Sequence, residues 1–126
     1  TVRRTNKHCK INKHNITLEL YPYGYEQVQL PPNFAYAYFH DPFGPAINPG
    51  CWTRDCFRFA RKCLHQTGVL ATYGAAGHSK RAMAAAGLYI GSTNGPGNKR
   101  EVTYAAKCID ALQHTKIITK YPPDLS

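Results

Sequence analysis

A strand that stops at a proline, followed by a helix whose apolar stripe can be read residue by residue, constrains this fold most. The stretch "NFAYAYFH" (33–40) combines aromatic and small residues in a strand-like run. It ends at Asp41-Pro42, because proline has no N–H to give to a sheet ladder. Beyond the loop "DPFGPAINPGC" a helix is expected from near Trp52, with Thr53 as its N-cap. Cys56, Phe57, Ala60, Cys63 and Leu64 then fall at helical spacing as one apolar stripe, and Arg54, Arg58, Arg61 and Lys62 lie on another face. Gly68 is the expected stop.

The rest of the chain continues the alternation. Upstream, "NITLELY" (15–21) sets Ile16, Leu18 and Leu20 against Thr17, Glu19 and Tyr21, the period of a strand. Downstream, "VLATY" reads as a short buried strand, and "HSKRAMAAAG" as a helix capped by Ser79 and ended by Gly87. "LYI" and "EVTYAAK" read as two further strands around the loop "GSTNGPGNKR". Strands alternating with helices imply right-handed crossovers and a parallel sheet, so the class is α/β, with the last two strands antiparallel. The expected organisation is a basic N-terminal arm at 1–14, a half domain at 15–107 and a frayed tail at 108–126.

Charge narrows the partners. Sixteen Lys and Arg against seven Asp and Glu give +9, a balance that attracts polyanions, RNA or DNA above all and acidic membrane surfaces next, and otherwise simply keeps a protein soluble. No apolar run approaches the ~20 residues needed to span a bilayer, so no membrane partner is expected. Five cysteines form no C-x-x-C pair, so no metal site is expected. Read as reduced structural thiols, they place the chain in an intracellular setting, cytoplasmic or mitochondrial. The sequence opens on Thr1 rather than Met, which suggests a processed or partial product.

Three collinear segments carry a family resemblance. They are "FAYAYFHDPFGPAINPGCWTRDCF", "GVLATYGAAGHSKRAMAAAG" and "NGPGNKREVTYA". Together, over about residues 9 to 106, they resemble the S-adenosylmethionine-dependent methyltransferase domain of bacterial 5-methylaminomethyl-uridine tRNA enzymes, the MnmC/MnmD type. That family's pattern runs D-x-F-x-P-x-x-N-P-x-x-W, then T-[YF]-x-x-x-G-x-x-[KR]-R, then a late G-x-x-x-K-R-E. The resemblance implies a Rossmann-like methyltransferase sheet represented here by its C-terminal half, S-adenosylmethionine as cofactor, and the exocyclic amine of a wobble uridine as methyl acceptor.

Asp41 sits where a strand ends, the edge at which open α/β sheets bind ligands. A carboxylate there accepts hydrogen bonds from an amine and takes its proton. Phe43 is the candidate for packing on a base or on the cofactor's sulfonium end. The simpler reading makes Asp41 a turn cap and Trp52 a core residue. Lys80 and Arg81 after "TYGAAG", Lys99 and Arg100 in the late loop, and Arg54 and Arg58 on the helix are the candidate RNA contacts. For the late loop, a hairpin with solvated charges is the competing account.

The sequence departs from the family in three places. No glycine-rich turn for the cofactor's methionine end precedes residue 24. Tyr25 follows Gly24 where the family has an acid, leaving Gly24 and Glu26 as the residual cofactor-side candidates. Ile47 stands before Asn48-Pro49 where the family has Lys. A parallel sheet lacking its first strands also has an open edge, which a second protein chain is expected to cover. Two functions follow as expectations. One is the substrate-facing half of a tRNA methyltransferase, inactive by itself. The other is a non-catalytic, methyltransferase-like subunit of a ribonucleoprotein such as a mitochondrial ribosome, bound to tRNA or rRNA.

Overall fold

A computed structural model describes residues 8–94 and 101–126. The chain divides into two compact units, 1–30 and 31–126.

The first unit contains an antiparallel hairpin. Strand β1 (Cys9–Lys13) pairs with β2 (Ile16–Leu20), placing Cys9 opposite Leu20 and Ile11 opposite Leu18. His14 and Asn15 make the turn, with φ of 53° and 61°. Two successive positive φ values match the twist of a two-residue hairpin turn. The expectation of an irregular arm at 1–14 is therefore corrected from Cys9 onward. Counting basic residues there hid the alternation Cys9, Ile11 that lets the segment pair. Beside the strands, His8 stacks on Tyr21 with ring centroids 4.2 Å apart and meets the Glu19 carboxylate at 2.9 Å. The hydrogen bond from the Tyr21 hydroxyl holds Glu19 below the usual carboxylate range. Residue 15 was also expected to open the half domain. The strand at Ile16–Leu20 exists, but among the described residues it pairs only with β1 and belongs to the first unit.

Among the described residues, the second unit holds a five-stranded sheet and two α-helices. In chain order it runs β3 (Ala35–Phe39), α1 (Arg54–Cys63), β4 (Leu64–Tyr73), α2 (Gly77–Ala85), β5 (Tyr89–Asn94), β6 (Glu101–Ala106) and β7 (Lys116–Ile117). The spatial order is β3-β4-β6-β5-β7. β3 and β4 are parallel, β6 inserts antiparallel between β4 and β5, and β7 closes the far edge antiparallel to β5. The tail at 108–126 is thus partly ordered into the sheet. Thr115 follows a single helical turn at Ile109–Leu112, and its hydroxyl bonds to the Leu112 carbonyl at 2.7 Å.

The helix stripe forms the core as its spacing requires. Cys56, Phe57, Ala60, Cys63 and Leu64 are all buried, and Phe57 and Leu64 pack with Leu70, Met83, Leu88, Ile90 and Ala105. Thr53 caps α1, its hydroxyl accepting from the Cys56 N–H at 3.2 Å.

Two expected helix boundaries differ. Helix α1 ends at Cys63 and β4 begins at Leu64, so Gly68 lies inside the strand. The pairing shifts there from Ala35–Leu64 to Ala37–Val69. A Cβ at Gly68 would come within 2.3 Å of the Ala35 carbonyl oxygen, so the glycine serves close backbone approach at this irregularity. Ser79 is not the cap of α2 either. The N-cap is Ala76, and Ser79 lies fully buried in the first turn. Gly87 does follow that helix, at φ 92°.

Candidate active site

The candidate site lies where the parallel strands β3 and β4 end. His40 continues from β3, donating its backbone N–H to the Ala71 carbonyl at 2.9 Å, and Asp41 follows at the lip. The His40 ring is buried against Trp52 and Phe57, at centroid distances of 4.9 and 5.1 Å, with its Nε2 2.8 Å from the Cys51 carbonyl. Burial lowers its pKa, with the bond to Cys51 opposing. His40 is thus a wedge under the loop rather than a reactive group within it.

The loop 41–52 is tethered from below. Trp52 donates its indole N–H to the Phe43 carbonyl at 2.9 Å, and the amides of Ile47 and Asn48 both donate to the Gly44 carbonyl, at 3.0 and 2.8 Å. Trp52 is 9% exposed and belongs to the core, as the simpler reading of that residue expected. Phe43 instead turns its ring outward, 73% exposed, and Ile47 is 75% exposed in the same loop. A fixed backbone carrying an exposed aromatic ring suits contact with a flat partner.

Asp41 stands in the wall between two clefts. One, of about 450 Å³, runs under the loop to the start of α2 and takes in Trp52, Gly74, His78 and Ser79. The other, of about 550 Å³, is lined mainly by apolar and aromatic side chains, among them Phe39, Ala71, Tyr73, Val102 and Tyr104. Strand alternation separates these from Leu70, Ile90 and Ala105, which point into the core. Phe39 and Tyr73 are 81% and 56% exposed.

The three sequence segments converge here. Lys80 of the second pairs with Glu101 of the third at 2.6 Å, and Thr103 donates to the same carboxylate oxygen at 3.2 Å. The Gly74 N–H reaches the Glu101 carbonyl at 2.9 Å. The ammonium of Lys80, one of the candidate RNA contacts, is thus engaged with Glu101. Arg81 is exposed on the same helix. Lys99 and Arg100 lie outside the described residues. Arg54 and Arg58 are exposed on α1. Thr72, Tyr73 and Tyr104 were missed as lining residues, although Thr72 and Tyr73 begin the second motif and alternation along "EVTYAAK" points Tyr104 to the same face as Val102.

In the first unit, Gly24 opens a short helical turn at Tyr25–Gln27, and the Gln27 N–H donates to the Gly24 carbonyl at 3.0 Å. The Glu26 carboxylate folds back over Gly24, 3.3 Å from where a Cβ would stand. Upstream of β3 the described residues hold only the hairpin and this turn. A glycine turn between a parallel strand and a helix, the cradle for a methionine carboxylate and ammonium, is absent from them. The described residues thus do not fit the methionine end of S-adenosylmethionine. Among them, no group of three or more His, Cys, Asp or Glu is placed to hold a metal ion.

A parallel strand pair crossed by a helix, with an antiparallel strand inserted before the last parallel one, forms part of a Rossmann-like methyltransferase sheet. The sequence profile of a family described as S-adenosyl-L-methionine-dependent methyltransferases matches residues 2–108, and the chain belongs to that family. Among solved structures it is similar to MNMC2 from Aquifex aeolicus, at 28% identity and a TM-score of 0.56 over 66% of this chain. It spans 27% of that structure's length.

Proposed function

We propose that this chain supplies the substrate-facing side of a tRNA methyltransferase acting on the exocyclic amine of a 5-aminomethyl-type wobble uridine. The observation that carries this reading is Asp41, placed in the shared wall of two clefts where residues of the first two motifs meet. In this role Asp41 accepts a hydrogen bond from the amine and takes the proton released as the nitrogen gains its new bond to carbon. The exposed ring of Phe43 stacks on the base, and Arg81 meets the backbone.

The reading assigns this chain the amine side alone, because its described residues give the methionine end of the donor no cradle. β3 is the edge strand of the described sheet, with Tyr36 65% exposed on it, and this supports a covering element that would bring the rest of that pocket. The missing cradle, Tyr25 and Ile47 favour a second reading, a non-catalytic RNA-associated subunit.

Methyl transfer from labelled S-adenosylmethionine to tRNA bearing the aminomethyl uridine separates the two. The chain alone is expected to be silent, and to become active when the methionine-end portion of a family methyltransferase is added. Under those conditions Asp41→Asn should lower turnover by roughly 10²- to 10⁴-fold while leaving RNA affinity unchanged. Turnover near the wild-type rate in that variant would return Asp41 to the role of a turn cap. RNA binding with no turnover under any supplementation would select the second reading. By calorimetry, the chain alone should bind S-adenosylmethionine more weakly than about micromolar, or roughly −8 kcal/mol.

A further inference from the structure

At the opposite end of β3 from Asp41, the carboxy-terminal turn of α1 meets the start of the strand. The Asn33 and Phe34 N–H groups donate to the Lys62 and Cys63 carbonyls at 2.9 and 3.0 Å. A cavity of about 460 Å³ opens there, and four cationic side chains line it: Arg58, Arg61 and Lys62 from α1, and Lys107 from just beyond β6. Asp124 is the one acidic residue among the described residues lining it. Its Oδ1 accepts from the Ser126 N–H and hydroxyl, and among the described residues no ion pair within 4.0 Å joins it to any of the four cations.

Helix electrostatics accounts for part of this. Arg61 and Lys62 sit in the last turn of α1, where the macrodipole favours cations, and the Arg61 Nε–H bonds to the Gly87 carbonyl at 3.2 Å. It does not account for Arg58, which is one turn from Lys62 and repels it. Nor does it account for Lys107, brought in from the sheet and held through Asn33. Burial, and then the Arg61 guanidinium, keep the Lys107 ammonium below its ordinary pKa. Asp124 is held low by its bonds to Ser126 and, more weakly, by the Arg58 and Arg54 charges, so one acidic side chain faces four cationic ones and the cavity keeps a net positive charge that an anion would offset. Guanidinium and ammonium groups mixed in one concavity match phosphate oxygens.

We propose that this cavity is a phosphate-binding site, distinct from the strand-end clefts and independent of methyl transfer, taking either the phosphodiester of an RNA backbone or a free phosphorylated compound. Two double variants that each remove two exposed cations test it. Arg58→Gln with Lys62→Gln alters the cavity; Lys116→Gln with Lys120→Gln removes the same charge elsewhere. Anisotropy of a labelled single-stranded RNA across salt concentrations, and calorimetry with inorganic pyrophosphate, give the two readouts. For RNA, the cavity variant should flatten the slope of log K against log salt by about 1.4, from roughly 0.7 per phosphate contact, with the control changing it far less. For a free phosphate compound, the pyrophosphate isotherm should collapse in the cavity variant alone. Lys107→Met should weaken whichever ligand responds by at least about fivefold, roughly 1 kcal/mol. Equal losses in the two double variants, or none in either assay, would overturn the proposal, and both outcomes can be read whether or not the chain supports methylation.

Discussion

The indole N–H of Trp52 donates to the carbonyl oxygen of Phe43 across 2.9 Å, so that one buried ring fixes the backbone beneath an exposed one. This bond sets where Phe43 stands relative to Asp41. Trp52→Phe keeps an aromatic core residue but removes the donor and part of the ring. It should cost about 2 kcal/mol in urea denaturation and quicken chymotrypsin cleavage after Phe43. Unchanged stability and cleavage would mean that the loop is held by its Gly44 turn alone.

Gly68→Ala should destabilise the protein by at least about 2 kcal/mol, since its Cβ would lie 2.3 Å from the Ala35 carbonyl oxygen and 3.1 Å from that of His65. Gly50→Ala is the control. A Cβ there would meet nothing within 4 Å among the described residues, and a change within about 0.5 kcal/mol is expected. Equal melting temperatures for the two variants would remove steric approach as the reason for Gly68.

Ser79 carries a fully buried hydroxyl oxygen without a hydrogen-bond partner among the described residues. Replacing it by alanine removes that desolvation cost and favours the helix, so Ser79→Ala should be neutral or stabilising by about 1 kcal/mol. A loss of more than about 1 kcal/mol on thermal unfolding would show that the hydroxyl finds a partner in solution.

His40 predicts an acid response. Burial lowers its folded pKa below the ordinary 6.5. The unfolded chain therefore binds a proton first as pH falls, and stability declines below about 6.5, with a slope of at most about 1.4 kcal/mol per pH unit from this group. Above that pH its contribution is flat. His40→Gln should remove this component between pH 7 and 5, measured as the difference between the two proteins' denaturation midpoints. Parallel pH profiles would assign the decline to other groups.

Much of the second unit follows from local chemistry. Spacing alone gave the α1 stripe, since a helix must turn Cys56, Phe57, Ala60 and Cys63 to one side, and the Thr53 hydroxyl stands just before that stripe, where it can take up an unpaired N–H of the first turn. Asp41-Pro42 likewise had to end a strand. The first two motifs placed the chemistry at strand ends, because Asp41 follows one strand and "TYGAAG" closes another. What the linear pattern did not determine was pairing between distant segments. Lys80 reads as a free cation until β6 brings Glu101 beside it, and Gly68 reads as a helix stop until β3 lays the Ala35 carbonyl against it. Cys9 and Ile11 look like part of a basic arm until a two-residue turn sets them opposite Leu20 and Leu18. The basic cavity was hidden for the same reason. Arg58, Arg61 and Lys62 form one helical face by themselves, but only the tertiary fold brings Lys107 to the same cavity, with Asp124 as the one acidic side chain among the described residues lining it.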